Sequence, residues 1–270
     1  LDMLGLCEEA FGSGPGQLLQ KTGAWERFCN LFDFHESQWG IPRAAAREAL
    51  SQVMLRHKAD DVLDLPPKTY ERLDVALSDE MLTQCDELLK WAGGDETRLQ
   101  VLIEDIVAGR AGEQKKHFMT LRKDLATAKV AALVNALKEV KSEEVSAVFS
   151  AMRIPVEIMR DQCGWGAIIG NMDADERYET VRKFQDGEYP GIAYTLAGAE
   201  GITLTRATRL FRVALDWSPG RNKQADDRIR RIGQTKPVTI VDLVGNHIVD
   251  EVIQNILLRK QRLLDASGLA

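Results

Sequence analysis

The stretch DWSPGRNKQADDRIRRIGQ, residues 216–234, decides how the rest of this chain is read. An acid and an aromatic, Asp216 and Trp217, lead into a turn made by Ser218, Pro219 and Gly220. No breaker interrupts the chain from Arg221 to Ile232, so a helix is expected there, with Gly233 stopping it. On such a helix Arg228 and Arg231, three residues apart, share a face, while Arg230 points elsewhere. Two guanidiniums on one face near a helix end suit the equatorial oxygens of a phosphoryl group in transfer, because each offers a rigid fork of donors and stays charged. The competing reading is a solvated basic helix whose charges pair with Asp226 and Asp227.

Around this stretch, from residue 145 onward, strand and helix patterns alternate, which predicts an α/β fold with a parallel sheet flanked by helices. VSAVFS (145–150), GAIIGN (166–171), GIAYT (191–195), LFRVALD (210–216) and VTIVDLV (238–244) read as strands. Between them, Pro155 fits the first turn of one helix, and Asp173 with Glu176 forms a capping box that opens another, running to Phe184. Val249–Leu264 reads as a closing amphipathic helix. The loop LAGAEGITLT follows the third strand. In it Gly198 and Gly201 allow close backbone approach, and Thr195, Thr203 and Thr205 offer hydroxyls, a combination that grips a phosphate backbone without reading sequence. Its plainer reading is a turn between strands.

The first half of the chain is read as mainly helical. Residues 1–65 are expected to form helices and loops, with FGSGPGQ (11–17) as a breaker; this run lacks the G-K-[ST] ending of a phosphate loop and is rejected as one. Pro66-Pro67 forbids helix and makes a stiff, extended connection. After it, the alternation of Leu73, Val75 and Leu77 predicts a strand with one buried face. Ser78-Asp79-Glu80 opens a helix that continues through Leu89 and breaks at Gly93-Gly94. Helical spacing resumes over Leu99–Val107 and over Leu121–Val140, with Lys115, Lys116 and Arg122 between them; the Leu and Val stripes there are read as packing faces.

Composition bounds these readings. A chain of 270 residues that is 44% hydrophobic can bury a real core. No apolar run approaches the roughly 20 residues of a membrane span. The first residues, LDMLGLCEEAF, lack an initiator Met and a basic n-region, so no signal peptide is expected and the chain is expected to be part of a longer one. Cys7, Cys29, Cys85 and Cys163 are scattered and His35, His57, His117 and His247 have no ligand spacing, so reduced thiols and no metal site are expected. The net charge of −6 argues against a wholly basic nucleic-acid coat. Yet from Arg206 to Lys236 nine Lys and Arg residues face only Asp216, Asp226 and Asp227, so positive charge is concentrated in one segment.

QADDRIRRIGQ (224–234) resembles motif VI of the Swi/Snf-type DNA translocases of helicase superfamily 2, commonly Q-A-x-x-R-x-x-R-x-G-Q. Asp216-Trp217-Ser218-Pro219 resembles the D-x-W-N-P-type element that precedes it, shortened and with Ser in the Asn place. The loop 195–205 resembles motif V, with Tyr194, Leu196, Ala199 and Glu200 departing from the usual residues; Phe149-Ser150 resembles the end of motif IV. MLRHKADDVLDLPPK (54–68) resembles the segment that leads from the first ATPase lobe into the second, with His57 where Arg is usual and Asp60 and Asp61 before Val62. The resemblance is strong over 145–264, moderate over 54–77 and faint before that.

By this resemblance residues 1–65 would be a helical segment at the tail of the first lobe or between lobes. Residues 66–140 would be a linker strand with a helical insertion, and 141–270 a RecA-like helicase C-terminal lobe closed by a brace helix. Arg228 and Arg231 would be catalytic arginine fingers, and Gln224 and Gly201 would join them in nucleotide binding. Ser150, Thr195, Gly198, Thr203, Thr205 and Trp217 would contact DNA, the last as a wedge; a buried strand end and a core-edge Trp are the plainer readings of Ser150 and Trp217. The cofactors implied are ATP and Mg²⁺, held mainly by a first lobe that these residues do not include. The partners implied are double-stranded DNA and that first RecA-like lobe, with no membrane and an intracellular location, nuclear in a eukaryote and cytoplasmic or nucleoid otherwise. Two alternatives stand beside the translocase: another superfamily 2 helicase that unwinds DNA or RNA, and a catalytically inert adaptor lobe.

Overall fold

The computed structural model describes residues 63–139, 144–199 and 201–267; the expected helices of residues 1–62 lie outside them. Residues Leu63–Trp217 and Arg221–Ile256 form one compact unit. Ser218–Gly220 and Leu257–Ala270 group with the residues before Leu63 as a second, whose described parts are the start of one helix and the end of another.

Among the described residues six parallel strands make one sheet: β1 (Lys68–Val75), β2 (Ser146–Ser150), β3 (Gly166–Ile168), β4 (Ile192–Tyr194), β5 (Arg209–Ala214) and β6 (Val238–Gly245), in the order β1-β6-β5-β2-β4-β3. The strands from residue 145 onward therefore appear where their patterns place them, and the sheet is parallel as expected. Alternation along each strand sorts the side chains onto two faces. Val148, Ala193, Phe211, Val213, Val241 and Leu243 join one core cluster; Ala147, Phe149, Ile192, Tyr194, Leu210, Val238 and Ile240 join the other. Both faces are covered, as a parallel sheet requires.

The helices are α1 (Asp79–Trp91), α2 (Glu96–Val107), α3 (Gly112–Glu139), α4 (Arg153–Cys163), α5 (Ala174–Gln185), α6 (Pro219–Asp226) and α7 (Ile248–Ser267). Their starts follow local chemistry. Ser78 Oγ accepts from Met81 N, and Asp173 Oδ1 accepts from Glu176 N at 2.7 Å, the first half of the expected capping box. Each cap stabilises its helix by about 1 kcal/mol. Among the described residues no helix is long and apolar enough to cross a membrane.

Two elements differ from their patterns. The strand β1 does not bury one whole face: among the described residues it is an edge strand paired only with β6, and within it Tyr70 and Leu73 are exposed while Val75 alone is buried. The strand that follows Pro66-Pro67 is thereby hydrogen-bonded into the same sheet as the rest. The helix α3 runs unbroken from Gly112, through the Lys115, Lys116 and Arg122 region that separated two apolar patterns. Its cations are not all solvated. Arg122 and Lys129 lie on the buried side, where Arg122 donates to Leu215 O at 2.7 Å and Lys129 Nζ meets Asp250 Oδ2 at 3.0 Å and Leu243 O at 3.1 Å. Those contacts tie α3 to the end of β5, to β6 and to the start of α7.

Candidate functional site: the arginine turn and its loop

The helix α6 ends at Asp226, earlier than its sequence pattern implies, and Arg228 and Arg231 stand on the turn that follows rather than on one helical face. The bonding shows how it ends. Asp227 N still reaches Lys223 O, but Arg228 N bonds Ala225 O and Ile229 N bonds Asp226 O, tightening to three-residue spacing. Two side chains cause this. Ile229 is driven fully into the sheet face that also holds Tyr194 and Ile240, and Asp226 is drawn inward by Arg212. Gly233, at φ +99°, takes a left-handed conformation that lets the chain leave the turn toward β6. Asn222, which the sequence reading passed over, holds the beginning of the stretch. Its amide donates to Asp216 O at 2.9 Å and accepts from Asp216 N at 2.8 Å, closing a ring across the Trp217–Pro219 turn.

The arginine turn and the loop after β4 are one structure. Leu204 N donates to Arg228 O at 2.8 Å, and Arg231 Nη1 donates to Ile202 O at 3.1 Å. Gln234, buried, completes the joint: its Nε2 donates to Thr205 O, Ala207 O and Ile229 O, and its Oε1 accepts from Thr235 N and Lys236 N. Gln234 closes the quoted motif, yet nothing in its sequence position marked it as the residue joining two motifs. Ala199, Ile202, Leu204 and Ala207 anchor the same loop into the core under α5 and α6.

The other expected site residues divide. Thr195 follows β4, and its hydroxyl is buried with no partner; Arg228 Nε is likewise buried and unpartnered. Two orphaned donors beside a Gly-containing loop fit a phosphate-bearing ligand, because desolvating such groups without a partner costs about 1–3 kcal/mol each. Gly201 stands at φ +75° with open space around it, and Gln224 is exposed. The hydroxyl of Thr205 accepts from Gln185 Nε2, which also holds Thr203 O, so α5 sets that part of the loop. Gly198 does allow a close approach, but to the chain itself: a Cβ there would stand 2.7 Å from the backbone of Ile169. Ser150 is fully buried, and its hydroxyl accepts from Met152 N at 3.0 Å, starting the turn into α4. Trp217 sits 4.5 Å beneath the Arg122 guanidinium and against Phe118 of α3. Burial lowers the Arg122 pKa to about 10. For Gly198, Ser150 and Trp217 the geometry is that of packing residues, and the expected contact with DNA gains nothing from it.

A buried charge cluster beneath the turn was not anticipated. Arg212 of β5 grips Asp242 of β6 with two bonds of 2.6 Å and reaches Asp226 at 3.3 Å. Its guanidinium also stands 5.5 Å from the ring of Tyr70, whose hydroxyl donates to Asp226 at 3.4 Å. Burial pushes the Asp226 carboxyl up to about 6, against the pull of Arg212 and Lys68 and with the help of Asp242 and Asp227. An acid whose pKa is raised by folding is held most comfortably when protonated. Its contribution is therefore fully present below the ordinary value of 3.8 and is lost as pH rises to about 6. In thermal or urea unfolding of this chain, the stability of the native sequence relative to Asp226→Asn should fall by roughly 2–3 kcal/mol between pH 4 and pH 7. A flat difference across that window would show that Arg212 fully compensates the carboxylate.

The sheet order and this paired loop and turn define a RecA-like α/β lobe. The helicase conserved C-terminal domain family matches residues 128–233, a span that includes β2 through the arginine turn. The bovine protein named DNA annealing helicase and endonuclease ZRANB3 is 28% identical over 287 aligned residues, covering 96% of this chain and 26% of that protein. A Drosophila melanogaster SWI/SNF-related regulator of chromatin, subfamily A-like protein 1, is 31% identical over 60% of this chain and 22% of its own length. The chain spans about a quarter of the length of the curated relatives it matches. Among solved structures, the Sulfolobus solfataricus SWI2/SNF2 ATPase core in complex with dsDNA superposes at TM-score 0.56 with 21% identity, covering 94% of this chain and 58% of that one. The C-terminal part of the Fun30 ATPase domain gives TM-score 0.53 at 18% identity, covering 75% of this chain and 97% of that one. Residues 128–233 thus match a helicase C-terminal domain, and the chain is similar to C-terminal RecA-like lobes of the Swi/Snf type of helicase superfamily 2.

Proposed function

We propose that this lobe is the second half of an ATPase stimulated by double-stranded DNA, which remodels protein–DNA complexes or reanneals DNA. The carrying observation is the joint between loop 202–207 and the arginine turn, made by Leu204 N to Arg228 O, Arg231 to Ile202 O and Gln234 to both sides. A loop that held a DNA phosphate would thereby move together with the residues that reach nucleotide. The names of the relatives favour DNA over RNA as the polymer: a DNA annealing helicase, and at 31% identity a DNA repair protein RAD5 from Kluyveromyces lactis.

In this reading Arg228 and Arg231 stabilise the charge on the γ-phosphate of ATP in the transition state, with Gln224 and Gly201 beside the nucleotide. The first lobe would hold most of the nucleotide and Mg²⁺, whose chemistry is to neutralise the phosphates during transfer. Thr195, Thr203 and Thr205, with the loop backbone, would hold one DNA strand by its phosphates, and opening and closing of the two lobes would step the protein along the duplex. An intracellular, DNA-associated location goes with that activity.

The isolated chain tests the division of labour. It should hydrolyse no ATP above blank, since half the catalytic groups lie elsewhere. A labelled duplex titrated at low and at moderate salt should bind weakly, without sequence preference and with steep salt dependence. DNA-stimulated turnover by the purified chain would overturn the one-lobe reading. Tight binding that hardly changes with salt would point instead to an adaptor lobe.

A further inference from the structure

The arginine turn faces two ways. Arg228 and Arg231 bond the loop at Ile202 and Leu204, whereas the intervening side of the turn bonds the chain that enters the lobe. Arg230 Nε donates to Pro66 O at 2.8 Å, and the next carbonyl, Pro67 O, accepts from Val238 N, the first residue of β6 after the turn. Three residues beyond Pro67, the Tyr70 hydroxyl reaches Asp226, where α6 gives way to the turn. Arg212 and Lys68 stand 5.5 Å and 5.3 Å from the centroid of the Tyr70 ring.

These contacts are unusual for the strand that makes them. The edge strand β1 buries almost none of its apolar side chains, and Tyr70 itself is 57% exposed. Hydrophobic packing therefore does not explain why this segment is fastened at the turn, while polar bonds at both ends of the arginine stretch do. Pro66 and Pro67 lack N–H groups and restrict φ, so a displacement arriving from residues before them is passed on as a push or pull rather than absorbed. The bond from Arg230 falls on the carbonyl of the first of these prolines.

We propose that Arg230 and Tyr70 are positioning residues that couple the entry segment of the lobe to the arginine turn, so that movement of that segment sets where Arg228 and Arg231 point. The inference rests on the reading of those two arginines as the groups that reach nucleotide. It assigns a role to a residue that does not touch nucleotide, and it makes the segment around Pro66–Tyr70 the path by which lobe movement reaches the site.

The experiment uses the full-length protein that contains this lobe, with Arg230→Ala, Arg230→Lys, Tyr70→Phe and, as reference, Arg228→Ala. For each, kcat and KM for ATP are measured at saturating duplex DNA, duplex affinity is measured separately, and unfolding of the 270-residue chain is followed. Arg230→Ala should lower DNA-stimulated kcat about tenfold, the scale of one lost charge-assisted hydrogen bond, with KM for ATP and DNA affinity within about twofold of wild type. Tyr70→Phe, which removes a longer bond, should lower kcat about threefold, and Arg230→Lys should recover part of the loss because an ammonium can still donate to Pro66 O. Combining Arg230→Ala with Tyr70→Phe should cost less than the product of the single losses, as for two fastenings of one element. If Arg228→Ala abolishes turnover while Arg230→Ala and Tyr70→Phe leave kcat untouched, the coupling is refuted and the arginine reading stands. If Arg228→Ala itself leaves turnover intact, the underlying functional reading has failed. A loss of kcat matched by an equal loss of folded protein, with no rescue by lysine, would make Arg230 a structural residue only.

Discussion

Alanine at Arg228 or at Arg231, placed in the full-length protein, should lower DNA-stimulated kcat by roughly 10³-fold or more, the scale of a lost arginine finger. Arg228 Nε is buried without a partner, and Arg231, exposed, spends one N–H on Ile202 O. Lysine at either position should not restore turnover, since an ammonium cannot present a planar fork to two phosphoryl oxygens. Duplex affinity should change little, because these groups face nucleotide in the proposed arrangement rather than strand. Arg230→Ala, whose side chain serves Pro66, should cost far less than either. Equal, modest losses of DNA binding from all three substitutions with kcat intact would instead make the turn a basic docking surface, and the adaptor reading would prevail.

The second large effect concerns stability. Lys129→Met should destabilise this chain by about 3–5 kcal/mol in denaturant unfolding, because it strands a buried carboxylate. Lys129 and Asp250 are each 3% exposed, and Asp250 Oδ2 also accepts from Gly245 N at 2.7 Å, holding the corner between β6 and α7. Pairing Lys129→Met with Asp250→Asn should recover most of the loss, since asparagine still accepts from Gly245 N and carries no charge to strand. A cost below about 1 kcal/mol for Lys129→Met alone would mean that the Gly245 amide suffices to hold the ionised carboxylate.

The buried pair also shows what a local reading of α3 leaves out. Read locally, apolar spacing starts the helix after α2 at Leu121, whereas α3 already begins at Gly112 and carries Lys115, Lys116 and Arg122 within it. Arg122 and Lys129 are buried because Leu215 O, Leu243 O and Asp250 arrive from 93, 114 and 121 residues away to receive them. No window of neighbouring residues contains that information. Likewise, Asp226 and Asp227 look like solvated partners for a basic helix, yet Asp226 is drawn inward by Arg212 and ends α6 early. The strand β1 errs in the opposite direction: its alternation is genuine, but an edge position leaves Leu73 in solvent.

What could be read directly was whatever neighbouring residues enforce on one another. Short apolar runs alternating with helical patterns made β2, β4, β5 and β6 legible as strands of a parallel sheet, and Ser78 and Asp173 announced their helices through side-chain oxygens that reach three residues ahead. The spacing of Arg228, Arg231 and Gln234 carried the resemblance to motif VI, because it is set by neighbouring residues alone. Partnership between distant residues was decided by the tertiary fold. Gln234 became the joint between two motifs, Gly198 met Ile169 rather than a ligand, Trp217 went under Arg122, and Arg230 found Pro66 across 164 residues of chain. The physical reason is the same in each case. A polar or aromatic group leaves water only where a partner waits for it, and only the packed sheet with its covering helices brings those partners within reach.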